Sequence, residues 1–346
     1  MATSYVLTGS YASKEEAGIK LWQFEESDGT LTELQGIEGV ERPSFIAVHP
    51  NRMSFVTASE TADGELVAFR LYGFENEVSE INRQKTGGDH PAHVCIDEAG
   101  EWVLSVNYSG ATVNVFPLHG NGSIGEMTDA VIHKGQGPDK ERQDAAHPHS
   151  VRQIPKTNLF LVADLGTDRI MSYRLDRTNG KLSLVSRNRT APGAGPRHMA
   201  FHPFESIVYA LGELDSTLTV YKWDREGVLN NLQAVPLLPA DYQGDNTSAE
   251  VTVSKDGKFV YASNRGHDSI AAFTVQENGT LTPLAFTASG GAGPRHFTLI
   301  PGQPWLIAAN EKSDSLAVLR IDPSGVPQPA TLAVSTKAPV CVRVVG

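Results

Sequence analysis

The stretch Gly-Pro-Arg-His-Met-Ala-Phe-His-Pro at residues 195–203 returns at residues 293–301 as Gly-Pro-Arg-His-Phe-Thr-Leu-Ile-Pro. Looser copies bring the total to seven, spaced 45 to 57 residues apart, and they start at Pro43, Pro91, Pro148, Pro196, Ser248, Pro294 and Pro339. This spacing is typical of propeller blades with four strands each. Solenoid repeats would have a similar period, but these units carry β-branched, alternating runs and Gly/Asp turns rather than helical periodicity. We therefore predict an all-β fold, a seven-bladed β-propeller of four-stranded antiparallel blades.

The two ends of the chain share one blade in this interpretation. Residues 1–42 contain strand-like segments at 5–8, 19–24 and 31–34 but lack the first strand of the repeat, whereas residues 339–346 form a first strand alone. We expect the C-terminal strand to pair with the N-terminal strands and close the ring, which removes exposed sheet edges. A closed ring of blades is an architecture in which a long chain can fold as one cooperative unit, so residues 1–346 are predicted to form a single domain.

Composition narrows the possible partners and location. The 346 residues carry a net charge of −11, which argues against nucleic acid or an anionic membrane as a partner. No segment has the apolar length of a membrane span or a secretion signal, so we expect a cytoplasmic protein. Cys95 and Cys341 are predicted to be buried, reduced thiols. Composition leaves the oligomeric state open between monomer and dimer.

Antiparallel order predicts where the polar residues meet. If the first strand of each blade starts at one face, the second strand ends there, so both sets of residues surround one mouth of the central channel. The first strands bring His93, His149, Arg197, His198, Glu250, Arg295 and His296 to this mouth. The second-strand ends bring Asn107, Asp164, Glu213, Asn264, Arg265, Asn310 and Glu311. Two long polar loops, residues 134–146 and 239–247, cross the same face and suggest a rim or lid.

Structural and functional interpretations compete for these residues. His198 and His296 occupy equivalent positions in two repeats, which favours a role in locking blades together. Arg197, Glu213 and Arg265 differ from blade to blade, and a guanidinium near the channel axis needs an anionic partner, so we favour function for them. His149 follows the longest loop and is also assigned to function.

A metal site is the next alternative. Asn107, Asp164, Glu213, Asn264 and Asn310 could in principle hold calcium. Two or three arginines at the same mouth would oppose a divalent cation, and no zinc spacing or phosphate-binding glycine loop occurs. We therefore expect a site without metal or cofactor that binds a small anionic molecule.

Several motifs resemble the propeller-type 6-phosphogluconolactonases and their relative, 3-carboxy-cis,cis-muconate cyclase. They are residues 147–151 (His-Pro-His-Ser-Val), 195–198, 262–270 (Ala-Ser-Asn-Arg-Gly-His-Asp-Ser-Ile), 293–297 and 308–310. The resemblance implies a propeller that hydrolyses or forms a lactone without metal, with catalytic residues His149, Arg197, Glu213 and Arg265. Gly212 departs from the pattern, since the lactonases have Asn before this Glu.

Hydrolysis of a lactone needs an activated water, a partner for the oxyanion and an anchor for the remote phosphate. Either Glu213 or His149 can be the base. Arg197 is the candidate for the carbonyl oxygen, and Arg265, with Arg295, for the phosphate. The remaining residues predicted to bind substrate are Asn107, Asp164, Asn264 and Glu250. The preferred reaction is hydrolysis of 6-phosphogluconolactone to 6-phosphogluconate; muconate-type cyclisation and a non-enzymatic scaffold that binds protein partners are the alternatives.

Overall fold

Seven four-stranded antiparallel sheets make up the computed structural model, which describes residues 3–73 and 78–345. In chain order the strands are β1 Thr3–Ser10, β2 Ile19–Glu25, β3 Leu31–Ile37, β4 Pro43–Val48, β5 Ser54–Ser59, β6 Glu65–Leu71, β7 Val78–Lys85, β8 Pro91–Ile96, β9 Trp102–Asn107, β10 Thr112–Pro117, β11 Asp129–Ile132, β12 Pro148–Gln153, β13 Leu159–Asp164, β14 Arg169–Asp176, β15 Lys181–Arg189, β16 Pro196–Phe201, β17 Ile207–Gly212, β18 Thr217–Trp223, β19 Leu229–Pro236, β20 Thr247–Val253, β21 Phe259–Arg265, β22 Ser269–Val275, β23 Leu281–Ala288, β24 Pro294–Leu299, β25 Trp305–Asn310, β26 Ser315–Arg320, β27 Leu332–Ser335 and β28 Pro339–Val344. Two short 3-10 turns, Leu165–Thr167 and Glu311–Ser313, follow β13 and β25.

The sheets are arranged as blades around a channel. Strands β4, β8, β12, β16, β20, β24 and β28 contact one another in this order, and β28 returns to β4, so the innermost strands close a ring. The prediction of a seven-bladed propeller is confirmed. In the two described ranges no helix is long and apolar enough to cross a membrane.

The two termini complete one blade, as predicted. β1 pairs antiparallel with β28, with Val6 opposite Val344 and Thr8 opposite Val342. Val6 and Val342 are fully buried, so apolar packing supports the pairing. Gly346, the last residue of the predicted strand 339–346, lies outside the described residues.

The apolar faces of the blades pack against their neighbours. Tyr209 from one blade and Phe273 from the next belong to the same buried cluster, and the Tyr209 hydroxyl donates to the carbonyl oxygen of Gly279 at 3.0 Å. The Tyr209 hydroxyl therefore has a hydrogen-bond partner, while the aromatic ring of Tyr209 is buried between two blades.

Two predicted strand boundaries differ from the structure. In the fourth complete repeat, the apolar pattern of the sequence predicts a first strand at 199–202 and an outermost strand at 232–236, but β16 begins at Pro196, which pairs with Gly212. The outermost strand, β19, begins at Leu229. This strand is half exposed, so its apolar alternation is weak and marks its start poorly.

A bulge near the start of the innermost strands positions the site. In β12, β16 and β24 the register shifts immediately after the first proline, and the residue skipped is His149, Arg197 or Arg295. A bulge adds one residue to one strand and redirects its side chain. In a regular strand, consecutive side chains point to opposite faces. Because of the bulge, the second and the third residue of these strands can both face the channel.

Candidate active site

A polar cavity lies where the bulged residues meet at the channel mouth. It is lined by Tyr11, Ser44, Phe45, Glu60, Ala92, His149, Arg197, His198, Arg295, His296 and Val340. Its volume of about 10 Å³ is enough for about one water molecule. A ligand larger than a water molecule must therefore bind above these side chains, in the mouth, rather than between them.

Glu213 is at the centre of an arginine cluster beside this cavity. Its Oε2 lies 2.8 Å from Nε of Arg197 and 3.1 Å from Nη2 of Arg265. Its Oε1 accepts a hydrogen bond of 2.6 Å from Nη2 of Arg142. Burial raises the pKa of Glu213, but Arg265 and Arg197 outweigh it and hold the pKa well below its usual range. The carboxylate is therefore ionised and a weak base.

Arg197 is held deep in the cluster. Its Nη1 donates to the carbonyl oxygen of Ala249 at 2.7 Å, and its contact with Glu213 is a close ion pair rather than an aligned hydrogen bond. Burial, together with Arg265 and Arg295, lowers the pKa of Arg197 to about 9. The guanidinium thus stays charged at neutral pH although it is crowded by other cations.

Arg295 and Tyr11 form a second polar group that lines the cavity. Nη1 of Arg295 is 3.6 Å from Oε2 of Glu311, and its guanidinium lies 5.2 Å from the ring centroid of Tyr11. The Tyr11 hydroxyl donates to both carboxylate oxygens of Glu60 at 3.2 Å. Burial raises the pKa of Tyr11 to about 12, so this phenol stays protonated.

His149 is a neutral imidazole next to the arginine cluster. Burial first, and then Arg197, lower the pKa of His149 well below its usual value. Its Nδ1 is buried without a hydrogen-bond partner among the residues that the structure describes. The ring packs edge-on against Tyr108 and His198, with centroids 5.5 and 5.3 Å away. These contacts fix its plane and leave an unused nitrogen.

Glu250, predicted to bind substrate, contacts two histidines in the next layer of the channel. His198 Nδ1 lies 2.8 Å and His296 Nε2 3.1 Å from Oε2 of Glu250. These contacts join β20 to the blades on either side. Burial lowers the pKa of both imidazoles well below the usual value, so they are neutral at pH 7. Glu250 thus lies below the mouth, and its carboxylate is paired with these two histidines.

The amide and carboxylate side chains at the second-strand ends bind loops. Nδ2 of Asn107, Asn264 and Asn310 donates to the carbonyl oxygens of Thr86, Leu237 and Ser289, respectively, at 3.3, 2.6 and 3.3 Å. Asp164 Oδ1 accepts from the backbone N–H of His147, and its Oδ2 contacts His133. Each holds the connection that enters its own blade from the preceding one. In the described part of the chain, no group of three or more His, Cys, Asp or Glu side chains could hold a metal ion.

The Gly212 departure has a local explanation. A Cβ at this position would lie 2.3 Å from Oδ1 of Asp215 and 2.9 Å from the carbonyl oxygen of Ala194. Asp215 therefore occupies the space that an Asn side chain would use. Its carboxylate accepts hydrogen bonds from the backbone N–H and the hydroxyl of Thr217. Glu213 still reaches the arginines without an Asn before it.

Sequence reasoning missed three residues of the site. Tyr11 and Glu60 directly follow β1 and β5, as Glu213 follows β17, so an alignment of all second-strand ends would have found them. Arg142 lies in the long loop 134–146, and no repeat or periodicity marked it. Its contact with Glu213 joins residues 71 positions apart.

The mouth carries more positive than negative charge. Four guanidinium groups, those of Arg142, Arg197, Arg265 and Arg295, lie near three carboxylates, those of Glu60, Glu213 and Glu311. Fold and site together define a seven-bladed propeller whose channel mouth is suited to a small anion.

Comparisons with known proteins agree with this class. The family model described as Lactonase, 7-bladed beta-propeller, matches residues 5–344, so the chain belongs to this lactonase family. It is 32% identical to a 6-phosphogluconolactonase of Bacillus subtilis, covering 99% of this chain and 98% of that protein. It is 30% identical to a 6-phosphogluconolactonase of Formosa agariphila, with 92% of each covered. Among solved structures, a periplasmic gluconolactonase of Pseudomonas aeruginosa superposes with a TM-score of 0.94 at 26% identity, covering 100% of this chain and 99% of that one.

Proposed function

We propose that this protein hydrolyses a sugar lactone, with 6-phosphogluconolactone as substrate and 6-phosphogluconate as product. The observation that carries the proposal is the cluster of Arg142, Arg197 and Arg265 around Glu213, next to a neutral His149. The names of the relatives support lactone hydrolysis and do not favour muconate-type cyclisation or a scaffold role.

His149 is the better candidate for the base. Glu213 is ionised, but three guanidinium groups contact its two carboxylate oxygens, so neither oxygen is free to accept a proton from water. His149 is neutral and has a free nitrogen close to the cavity. In the proposed first step, a water oxygen attacks the lactone carbonyl carbon while His149 takes the water proton.

The arginines then have separate roles. Arg197, the most buried of them, would stabilise the negative charge that develops on the carbonyl oxygen. The C–O bond of the ring breaks next, and the proton on His149 passes to the departing ring oxygen. This leaves an open-chain hydroxyl and a carboxylic acid, which loses its proton to water.

The phosphate would bind toward the more exposed cations. Arg265 and Arg295 have side chains that are 10% and 20% exposed, so their guanidinium groups reach the mouth. Arg142, at 40% exposed, would cover the substrate from the loop side. Phosphate binding far from the reacting carbon orients the ring and contributes to transition-state binding.

The proposal includes no metal and no cofactor, and it assigns the protein to the cytoplasm as one cooperative domain. The free thiols Cys95 and Cys341 are compatible with a reducing compartment. Cell fractionation of the native host tests the location.

A proton-release assay tests the reaction. Freshly prepared 6-phosphogluconolactone and unphosphorylated gluconolactone are offered side by side, with spontaneous hydrolysis subtracted, before and after prolonged EDTA treatment. We expect faster turnover of the phosphorylated lactone and no effect of EDTA. A rate equal to the spontaneous one for both lactones would refute the proposal, and loss with EDTA that calcium restores would refute its metal independence.

A further inference from the structure

The opposite end of the central channel holds a second positively charged cavity. It has a volume of about 220 Å³, and its lining includes Arg152, Glu250, Thr252, Thr298 and Arg343. Arg152 lies three residues after His149 on β12, and Arg343 lies three residues after Val340 on β28. His149 and Val340 line the mouth cavity, so the two arginines mark the far end of the same strands.

Arg152 is incompletely paired. Its Nε is buried without a hydrogen-bond partner among the described residues, and its Nη2 lies 4.0 Å from Oε1 of Glu250. The side chain as a whole is 29% exposed, so the guanidinium borders the open cavity. A buried, unused donor on a charged group is costly unless a ligand or water satisfies it.

Arg343 places a second cation at the same cavity. Its Nε donates to the carbonyl oxygen of Ile46 at 3.2 Å, and its guanidinium lies 4.8 Å from the ring centroid of Phe45. These contacts hold the side chain in place without neutralising its charge. Burial, and next the charge of Arg343, lower the pKa of Arg152, as expected for two cations in one confined space.

The carboxylate in this cavity cannot balance both cations. Glu250 is the one acidic residue in its lining among the described residues, and its other oxygen contacts His198 and His296. Both histidines are neutral, so two positive charges face one negative charge. This layer of side chains also separates the far cavity from the mouth.

We propose that this far cavity binds a small anion of the phosphate or dicarboxylate class. The planar, forked guanidinium groups of Arg152 and Arg343 suit the oxygens of such anions, and Thr252 and Thr298 line the same cavity. The volume of about 220 Å³ holds several water molecules but is smaller than the cavities typical of drug-sized ligands. The site is distinct from the proposed catalytic mouth.

Arginine NMR on the unaltered protein tests this directly. Protein labelled with ¹⁵N-arginine is titrated with inorganic phosphate or with succinate, against sodium chloride at matched ionic strength. We expect the Nε–H resonances of Arg152 and Arg343 to shift in a saturable manner, and the two titrations show which anion class binds more tightly. Shifts confined to Arg265 and Arg295 would overturn the proposal. So would the absence of any arginine shift at anion concentrations up to about 20 mM, a range that would detect even a weak anion site.

Variants provide a second test that does not depend on lactonase activity. Phosphate at ten times its dissociation constant should raise the Tm of the wild type by about 2 °C. Arg343→Gln and Arg152→Gln should remove this rise, whereas Arg225→Gln on an exposed turn should keep it. An unchanged rise in both far-cavity variants would place the anion elsewhere and contradict the proposal.

Discussion

Arg265 illustrates how one guanidinium can serve both the fold and the substrate. Its Nε and Nη2 donate to the carbonyl oxygens of Thr247 and Ser248 at 3.3 Å, and Nη2 also contacts Glu213. Burial lowers the pKa of Arg265, while Glu213 opposes this effect. The side chain is therefore oriented before substrate arrives, which reduces the entropy lost on binding.

We predict that Arg265→Ala lowers kcat/KM for the phosphorylated lactone. The loss should correspond to about 2–4 kcal/mol of transition-state stabilisation, because a buried charge pair loses one member. Arg265→Lys should have an intermediate effect, since it keeps the charge and loses the fork. Activity toward the unphosphorylated lactone should change far less. Steady-state kinetics with both substrates measure this, with Arg225→Ala as the control.

An equal loss for both substrates would place Arg265 at the reacting carbonyl rather than at the phosphate. No loss for either would leave it with a purely structural role.

The loop 134–146 brings Arg142 to the site through a buried anchor. Gln143 is fully buried, and its Nε2 donates to the carbonyl oxygen of Leu165 at 2.8 Å and to Oδ1 of Asp168 at 2.7 Å. Its Oε1 accepts from the backbone N–H of Asp139. The loop thus has one residue that holds its conformation and a neighbouring residue that reaches Glu213.

Arg142→Ala and Gln143→Ala should therefore differ in their effects. We expect Arg142→Ala to lower kcat/KM about tenfold while the free energy of unfolding changes by less than about 0.5 kcal/mol, since the side chain is partly exposed. Gln143→Ala should lower the free energy of unfolding by about 1–3 kcal/mol, because buried polar groups lose their partner. Urea denaturation and kinetics of both variants measure these changes. The prediction fails if Arg142→Ala destabilises the protein as much as Gln143→Ala.

The whole ring depends on the pairing of its two ends. β28 supplies the innermost strand of the blade that β1, β2 and β3 complete, and Val340, Cys341 and Val342 on it are buried. Loss of this strand would expose their apolar surface and the edge of β1.

Deletion of residues 339–346 should lower the free energy of unfolding by more than about 4 kcal/mol, since several buried side chains are lost at once. Val342→Asp should show the same direction of effect, because it buries an unpaired charge. Phe204→Asp is the control, since Phe204 is 71% exposed. Melting curves that match the wild type after the deletion would show that ring closure does not contribute to stability.

Four buried histidines of the channel, His93, His149, His198 and His296, predict how stability depends on pH. Burial lowers the pKa of each of them well below the usual value. Below about pH 6.5 the unfolded chain binds protons at these side chains and the folded chain does not, so stability falls as pH decreases. Each histidine contributes up to about 1.4 kcal/mol per pH unit in this range.

His93→Phe tests this reasoning at one position. The His93 ring lies 4.0 Å from that of Phe45, and neither of its nitrogens has a hydrogen-bond partner among the described residues. Urea denaturation between pH 5 and 7 should give a shallower slope for His93→Phe, whereas His119→Gln, at an exposed position, should keep the wild-type slope. An identical slope in both variants would contradict the assignment of His93 as neutral.

Local pattern was sufficient for the architecture. The recurring Pro-Arg-His segments, the seven repeat starts and the lone strand at 339–346 determined the number of blades and the closure of the ring. Antiparallel pairing then placed the first-strand starts and second-strand ends on one face. These features could be predicted because alternation, turns and strand order are properties of short segments and of their sequence along the chain.

The tertiary structure alone decided which polar side chains share the mouth and which support it. Arg142 meets Glu213 because of the path of a loop without repeats, and Glu250 lies between His198 and His296 because three blades converge there. Asn107 and Asn264 donate hydrogen bonds to the connections between blades. Such pairings depend on bulges, loop conformations and the distance between blades, and burial makes them energetically decisive because an unpaired polar group in the channel is costly.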